Sequence, residues 1–242
     1  MTKTKSGKII LIIFALILIA LTVFGVLYSK GLTDVSPTPK YKEGQIKVAC
    51  VGDSVTYGYG IKGWKKNNYP AVLGRLLGDE YHVANFGISG YTIQDTGDQP
   101  YTATKAYKNS LAYEADILIF MLGSNDSKPE NWTDEEKFLA YYNSLLDSYL
   151  QKDKKPTVYL CTVATAHYPE GITSGYTNYD VQPQYVEAAA ELIRGVAEER
   201  GYPLIDINNL TENRRDLFGK DNVHPTKEGA EVIAKEIYEV IG

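Results

Sequence analysis

Four short blocks of this 242-residue chain hold the side chains that could do chemistry together. Gly52-Asp53-Ser54 follows the apolar run Ile46–Val51, and Asn85-Phe86-Gly87-Ile88-Ser89-Gly90 ends a second run. Gly123-Ser124-Asn125-Asp126 ends a third, and Asp221-Asn222-Val223-His224-Pro225 stands just before a C-terminal helical pattern. A serine hydroxyl is a weak nucleophile until a base lies within hydrogen-bond reach. His224 is the candidate base. Asp221, three residues earlier, can hold the imidazole tautomer and stabilise the imidazolium that forms. Attack by Ser54 on an ester would create an oxyanion, which needs donors fixed in advance. The backbone N–H groups of Ser54 and Gly87 and the side-chain amide of Asn125 are the candidates. A glycine at 87 would also let the backbone approach a substrate closely. Taken singly, Ser54 could be a helix cap, Asn125 a turn residue and His224 a surface residue. The set, in this order, points to acyl transfer.

The elements must bring these blocks to one place. Strands are expected at Ile46–Val51, Tyr81–Phe86, Ile117–Leu122, Thr157–Val163 and Pro203–Ile207. Thr133-x-x-Glu136 reads as a capping box opening a helix through Phe138, Leu139, Tyr142, Leu145, Leu146 and Tyr149. Further helices are expected over Gln184–Arg200 and Thr226–Ile241. Strands alternating with helices imply an α/β fold with a parallel sheet covered on both faces. Ligands of such sheets bind at the carboxyl ends of the strands, and Ser54, Gly87 and Asn125 each follow a different strand there.

Other motifs weigh less. Gly58-x-Gly60-x-x-Gly63 has dinucleotide-binding spacing, but Gly58 lies seven residues beyond Val51 and Gly63 does not open a good helix. These glycines read as a flexible loop. His82 reads as structural. His167 lies in the loop Ala164–Asp180 with Tyr168, Tyr176 and Tyr179, which could wall the site. Trp132 could stack on a sugar ring or merely pack at a helix entry, and Asp53 is a further candidate substrate contact. Asn125, Asn131 and Asn209 each begin a glycosylation tripeptide, and modification of Asn125 would block its expected role.

Together the four blocks resemble the SGNH/GDSL hydrolase family over residues ~46–241, with Ser54, Gly87, Asn125 and His224 on its name letters. The resemblance implies a three-layer α/β/α sandwich with a central five-stranded parallel sheet, a Ser54-His224-Asp221 triad, no metal and no other cofactor. "NYPAVLGRLLGDEYHVANFGISG" and "MLGSNDSKPENW" are similar to its carbohydrate-directed members, the sialate O-acetylesterase-like and acetylxylan-esterase-like enzymes. The expected substrate is a short-chain, O-acetyl ester on a glycan. A lysophospholipase or thioesterase, a glycan O-acetyltransferase and a non-catalytic glycan-binding domain are the alternatives.

Composition adds the setting. Lys3, Lys5 and Lys8 precede an uncharged apolar run from Ile9 to Tyr28. Those residues as a helix span about 30 Å, the thickness of a bilayer core. The run lacks an A-x-A cleavage site, so an uncleaved transmembrane anchor over residues 1–30 is expected, with a cleaved signal peptide as the alternative. The basic flank predicts a catalytic domain outside the cytoplasm. Residues 31–44 read as a linker and 45–242 as the hydrolase domain. Beyond residue 30 the chain carries 21 basic and 30 acidic residues, which argues against nucleic acid as a partner. Cys50 and Cys161, each inside an apolar run, read as buried free thiols.

Overall fold

The computed structural model describes residues 3–29, 39–151, 153–172, 174 and 177–242. Residues 31–38 of the expected linker, and Tyr176 of the expected wall loop, lie outside the described residues. The elements in chain order are α1 (Lys3–Ser29), β1 (Ile46–Gly52), α2 (Ser54–Tyr57), α3 (Trp64–Asn67), α4 (Tyr69–Leu77), β2 (Tyr81–Gly87), α5 (Lys105–Ala112) and β3 (Ile117–Met121). There follow α6 (Glu135–Leu150), β4 (Thr157–Cys161), α7 (Pro183–Arg200), β5 (Leu204–Ile205), α8 (Ile207–Thr211) and α9 (Lys227–Ile241).

The five strands form one parallel sheet in the order β2-β1-β3-β4-β5. In β1, Val48 and Cys50 enter one apolar cluster while Ala49 and Val51 enter the other. The period-2 alternation of strands therefore places apolar side chains on both faces, and both must be covered. Helices α4 and α9 cover one face through Val72, Leu73, Ile233 and Ile237. Helices α6 and α7 cover the other through Phe138, Tyr142, Leu146, Val186 and Ile193. This is the three-layer α/β/α arrangement that the sequence implied. β1 lies between β2 and β3, so the chain's crossovers diverge there and a crevice opens at the carboxyl ends of β1 and β3.

Three expectations are corrected. Helix α6 is capped by Asp134, whose carboxylate accepts from the Lys137 N–H at 2.7 Å. The Thr133 hydroxyl donates instead to Gln94 Oε1 at 3.1 Å, so Thr133-x-x-Glu136 is not a capping box. A carboxylate also suits the positive end of a helix better than a hydroxyl does. The fifth strand is two residues long, because Asp206 turns outward to cap α8 through Asn209 and to pair with Arg194. The fourth strand ends at Cys161, short of the expected Val163.

Cys50 and Cys161 are buried and free, as expected. His82 is buried within β2, its ring nitrogens on the Tyr113 hydroxyl and, at 2.8 Å, on the Pro39 carbonyl. In α1, Gly7–Leu27 is long and apolar enough to cross a membrane, and its apolar side chains are exposed.

Candidate active site

Ser54 opens α2 immediately after β1. Asp53 fixes that turn, its Oδ1 accepting from the Val55 N–H at 2.9 Å. The first N–H groups of a helix have no partner within it, so the Ser54 N–H faces outward. The Ser54 hydroxyl lies 2.8 Å from His224 Nε2, joining residues 170 apart in sequence. His224 Nδ1 lies 2.9 Å from Asp221 Oδ2. The other carboxylate oxygen accepts from the backbone N–H groups of Val223 and His224 at 3.1 and 3.0 Å. Burial pushes Asp221 up, but its bonds to the His224 ring and backbone outweigh this and hold the carboxyl below its ordinary value. It is thus ionised where it faces the imidazole.

The turn carrying this pair is closed by the Gly219 N–H donating to the His224 carbonyl at 2.8 Å. Asn222, at φ +60°, makes its tight bend and accepts from Arg215 Nε at 3.1 Å. Asparagine tolerates that conformation better than most residues.

The opposite wall comes from the turns after β2 and β3. Asn125 Nδ2 donates to the Tyr91 carbonyl at 3.0 Å, which orients the amide and leaves its second N–H for a ligand. Asp126 accepts from the Ile93 and Gln94 N–H groups at 2.9–3.1 Å. Burial pushes the Asp126 carboxyl up to about 7 against those donors. Asn131 Nδ2 donates to the Asn125 carbonyl and to Asp98 Oδ1, both at 2.9 Å, and Gln94 Nε2 donates to the Asn131 carbonyl at 2.8 Å. These bonds clamp the two turns together.

Ser54, His224, Asn125 and Gly90 line one cavity of about 280 Å³. Ala164, Ala166, Val181, Val186 and Val223 give it an apolar wall. Tyr59 and Tyr179 also line it, with hydroxyls 3.0 Å apart and ring centroids 4.4 and 5.2 Å from the His224 ring.

Ser54, Asn125, Asp221 and His224 thus come together, whereas four other candidates stand elsewhere. Gly87 is corrected. Its N–H is taken by Asn85 Oδ1 at 2.8 Å, and a Cβ there would lie 2.3 Å from the Tyr57 nitrogen. It is packed under α2, and Gly90 occupies the cavity wall instead. Trp132 does not line the cavity; Tyr185 stacks on it at 4.9 Å and Phe138 lies 5.7 Å away. His167 does not line it either. Its ring packs edge-on against Phe218 at 4.8 Å, its backbone N–H donates to the Asn222 carbonyl, and burial pushes its pKa down. It braces the turn that carries His224. Asp53 is buried beneath the serine as a helix cap rather than beside a ligand.

Tyr179, named within the possible wall loop, does line the cavity, whereas sequence reasoning missed Gly90, Tyr59, Lys128 and Asp126. Tyr59 had a signal, since Gly58 and Gly60 flank it, both with positive φ, and so turn it over His224. The Gly58-x-Gly60-x-x-Gly63 triplet shapes that loop. Among the described residues no His, Cys, Asp or Glu cluster has the arrangement of a metal site.

The sequence pattern of the GDSL-like lipase/acylhydrolase family matches residues 50–232. The chain belongs to that family. An acetylxylan esterase from Xylanibacter ruminicola is 36% identical over 217 residues, covering 82% of this chain. The chain spans 44% of that protein's length. A carbohydrate acetylesterase family member from Sinorhizobium meliloti shares the fold, with a TM-score of 0.62 at 21% identity over 81% of this chain and 97% of the other. An aryl esterase from M. smegmatis also has a TM-score of 0.62, at 16% identity over 81% and 98%. Within this GDSL-like family the chain therefore has the SGNH fold.

Proposed function

We propose that this chain is a serine esterase that removes short acyl groups, foremost O-acetyl, from a carbohydrate. The observation that carries the reading is the continuous Ser54–His224–Asp221 hydrogen-bond chain at the edge of a cavity. In the proposed reaction Ser54 Oγ attacks the ester carbonyl while His224 Nε2 takes its proton. The oxyanion is met by the N–H groups of Ser54 and Gly90 and the free N–H of Asn125. The tetrahedral intermediate collapses, His224 protonates the departing sugar oxygen, and the acyl group stays on Ser54. Water then attacks the acyl carbon while His224 takes its proton, the bond to Ser54 Oγ breaks, and the proton passes from His224 to Oγ as the acid leaves. Asp221 remains ionised and steadies the imidazolium in both halves. Similarity to the acetylxylan esterase supports acetyl on a sugar as the substrate class.

The apolar wall favours a second reading, a longer acyl group, tested below through acyl length. We assign residues 1–30 to a membrane-spanning anchor, 31–44 to a linker and 45–242 to an extracytoplasmic hydrolase domain. The decisive experiment incubates the full chain, in detergent, with acetylated xylan. Acetate should appear in solution, and Ser54→Ala should abolish it. Acetate found on an added glycan would make the enzyme a transferase, and no release from any acetylated glycan would refute the carbohydrate reading.

A further inference from the structure

We propose that the site is built for a substrate with a carboxylate near the scissile ester, and that Lys128 is the group that recognises it. The inference rests on the esterase reading and adds the substrate's charge. Lys128 lines the cavity that holds Ser54 and His224, and it is half-buried. Among the described residues its ammonium has no ion-pair partner.

Its backbone is pinned close to the chemistry. The Lys128 N–H donates to the Asn125 carbonyl, and its own carbonyl accepts from the Asn131 and Trp132 N–H groups at 3.0 and 2.8 Å. The side chain therefore starts from a fixed point three residues beyond the expected oxyanion donor. The rest of the lining is apolar, hydroxyl-bearing or amide, apart from His224. Taking an ammonium partly out of water without a counter-charge is costly, and an anionic group on the substrate would offset that cost. The buried carboxylates Asp53 and Asp126 do not line the cavity. The chain's net charge of −5 repels an anion at long range. Selection of an anion must then come from contact inside the cavity rather than from steering.

The carboxylate could be carried by the sugar, as a uronic acid, or by the acyl group, as a dicarboxylic half-ester. Two comparisons with the full chain in detergent separate these. One uses acetylated xylo-oligosaccharides bearing glucuronic acid against the same material with its carboxyl groups reduced to alcohols. The other uses the p-nitrophenyl half-ester of succinic acid against p-nitrophenyl butyrate. The quantity read is the ratio of kcat/KM, charged over neutral, so a change in the folded fraction cancels.

The expected ratio is about fivefold or more in one comparison, since a hydrogen-bonded charge pair discriminates by at least that much. It should fall to near one in Lys128→Met and be largely retained in Lys128→Arg. A ratio near one in both comparisons for the unaltered chain, or a ratio that Lys128→Met leaves unchanged, overturns the inference while the esterase reading stands. Failure to cleave any of the four substrates overturns both.

Discussion

At the scale of single residues, Asn125 is the proposed oxyanion donor, its amide aimed by the Tyr91 carbonyl. Asn125→Ala should lower kcat by roughly 10²–10³ and leave KM nearly unchanged, because the bond strengthens as charge develops on the oxygen. Steady-state kinetics on a short acetyl ester would measure this, and an unaltered kcat would reduce Asn125 to a turn residue. Asp126 gives a second test through pH. Its carboxyl is raised from 3.8 to about 7 by burial, so the folded state favours the protonated form. The stability tied to this group is fully present below pH ~4 and is lost as pH rises towards about 7. Asp53, the neighbouring buried carboxyl, is shifted in the same direction by burial and shares the effect. Between pH 4 and 7 the Tm of the unaltered chain should therefore decline relative to that of Asp126→Asn. Parallel Tm profiles would remove the assignment.

Elements were legible in proportion to how local their causes are. β1 to β4 announced themselves as apolar runs, and helices α6, α7 and α9 by spacing. The serine, asparagine and histidine blocks were readable because each sits where its strand or helix must begin or end. Gly87 and Gly90 could not be told apart that way. Gly87 closes β2 and Gly90 follows three residues later, and the Asn85 side chain, folded back onto Gly87, takes that N–H. The clamp between residues 93–98 and 125–131 joins segments about 33 positions apart and leaves no periodic trace. The cap at Asp134 rather than Thr133 turned on Gln94, a distant residue competing for the threonine. The packing of β2 under α2 carries its own prediction. A methyl at Gly87 would meet backbone atoms of residues 53, 56 and 57 at 2.3–2.9 Å, which cannot yield as a side-chain tip would. Gly87→Ala should destabilise the fold by about 3 kcal/mol, the upper end for overpacking. Denaturant unfolding would read it, and an unchanged midpoint would contradict the proposed closeness of β2 and α2.

At the scale of the whole molecule, the chain enters the sheet at Ile46 and reaches Ser54 at the other end of β1. Residues before β1 are docked near the strands' starting edge, with Gln45 Nε2 donating to the Asp79 and Tyr81 carbonyls at 2.9 and 3.1 Å. The cavity thus opens at the end of the sheet away from the attachment of the N-terminal segment. If residues 1–30 anchor the chain as proposed, that arrangement suits a polymer substrate better than a lipid. Acyl length tests this, since each buried CH₂ of a long chain would contribute ~0.8 kcal/mol in a lipid-type groove. With p-nitrophenyl esters, kcat/KM should be highest for acetyl and at least about tenfold lower by octanoyl, a difference of ~1.4 kcal/mol. Preference for octanoyl would replace the carbohydrate reading with a lysophospholipase or thioesterase.

Everything proposed for this site depends on Ser54 being the nucleophile, activated by His224. The most direct test of this treats the full chain with a fluorophosphonate and maps the adduct by peptide mass. One adduct is expected, on Ser54, formed in step with loss of esterase activity, and none in Ser54→Ala. Labelling that persists in Ser54→Ala, or activity that survives full labelling of Ser54, would contradict it.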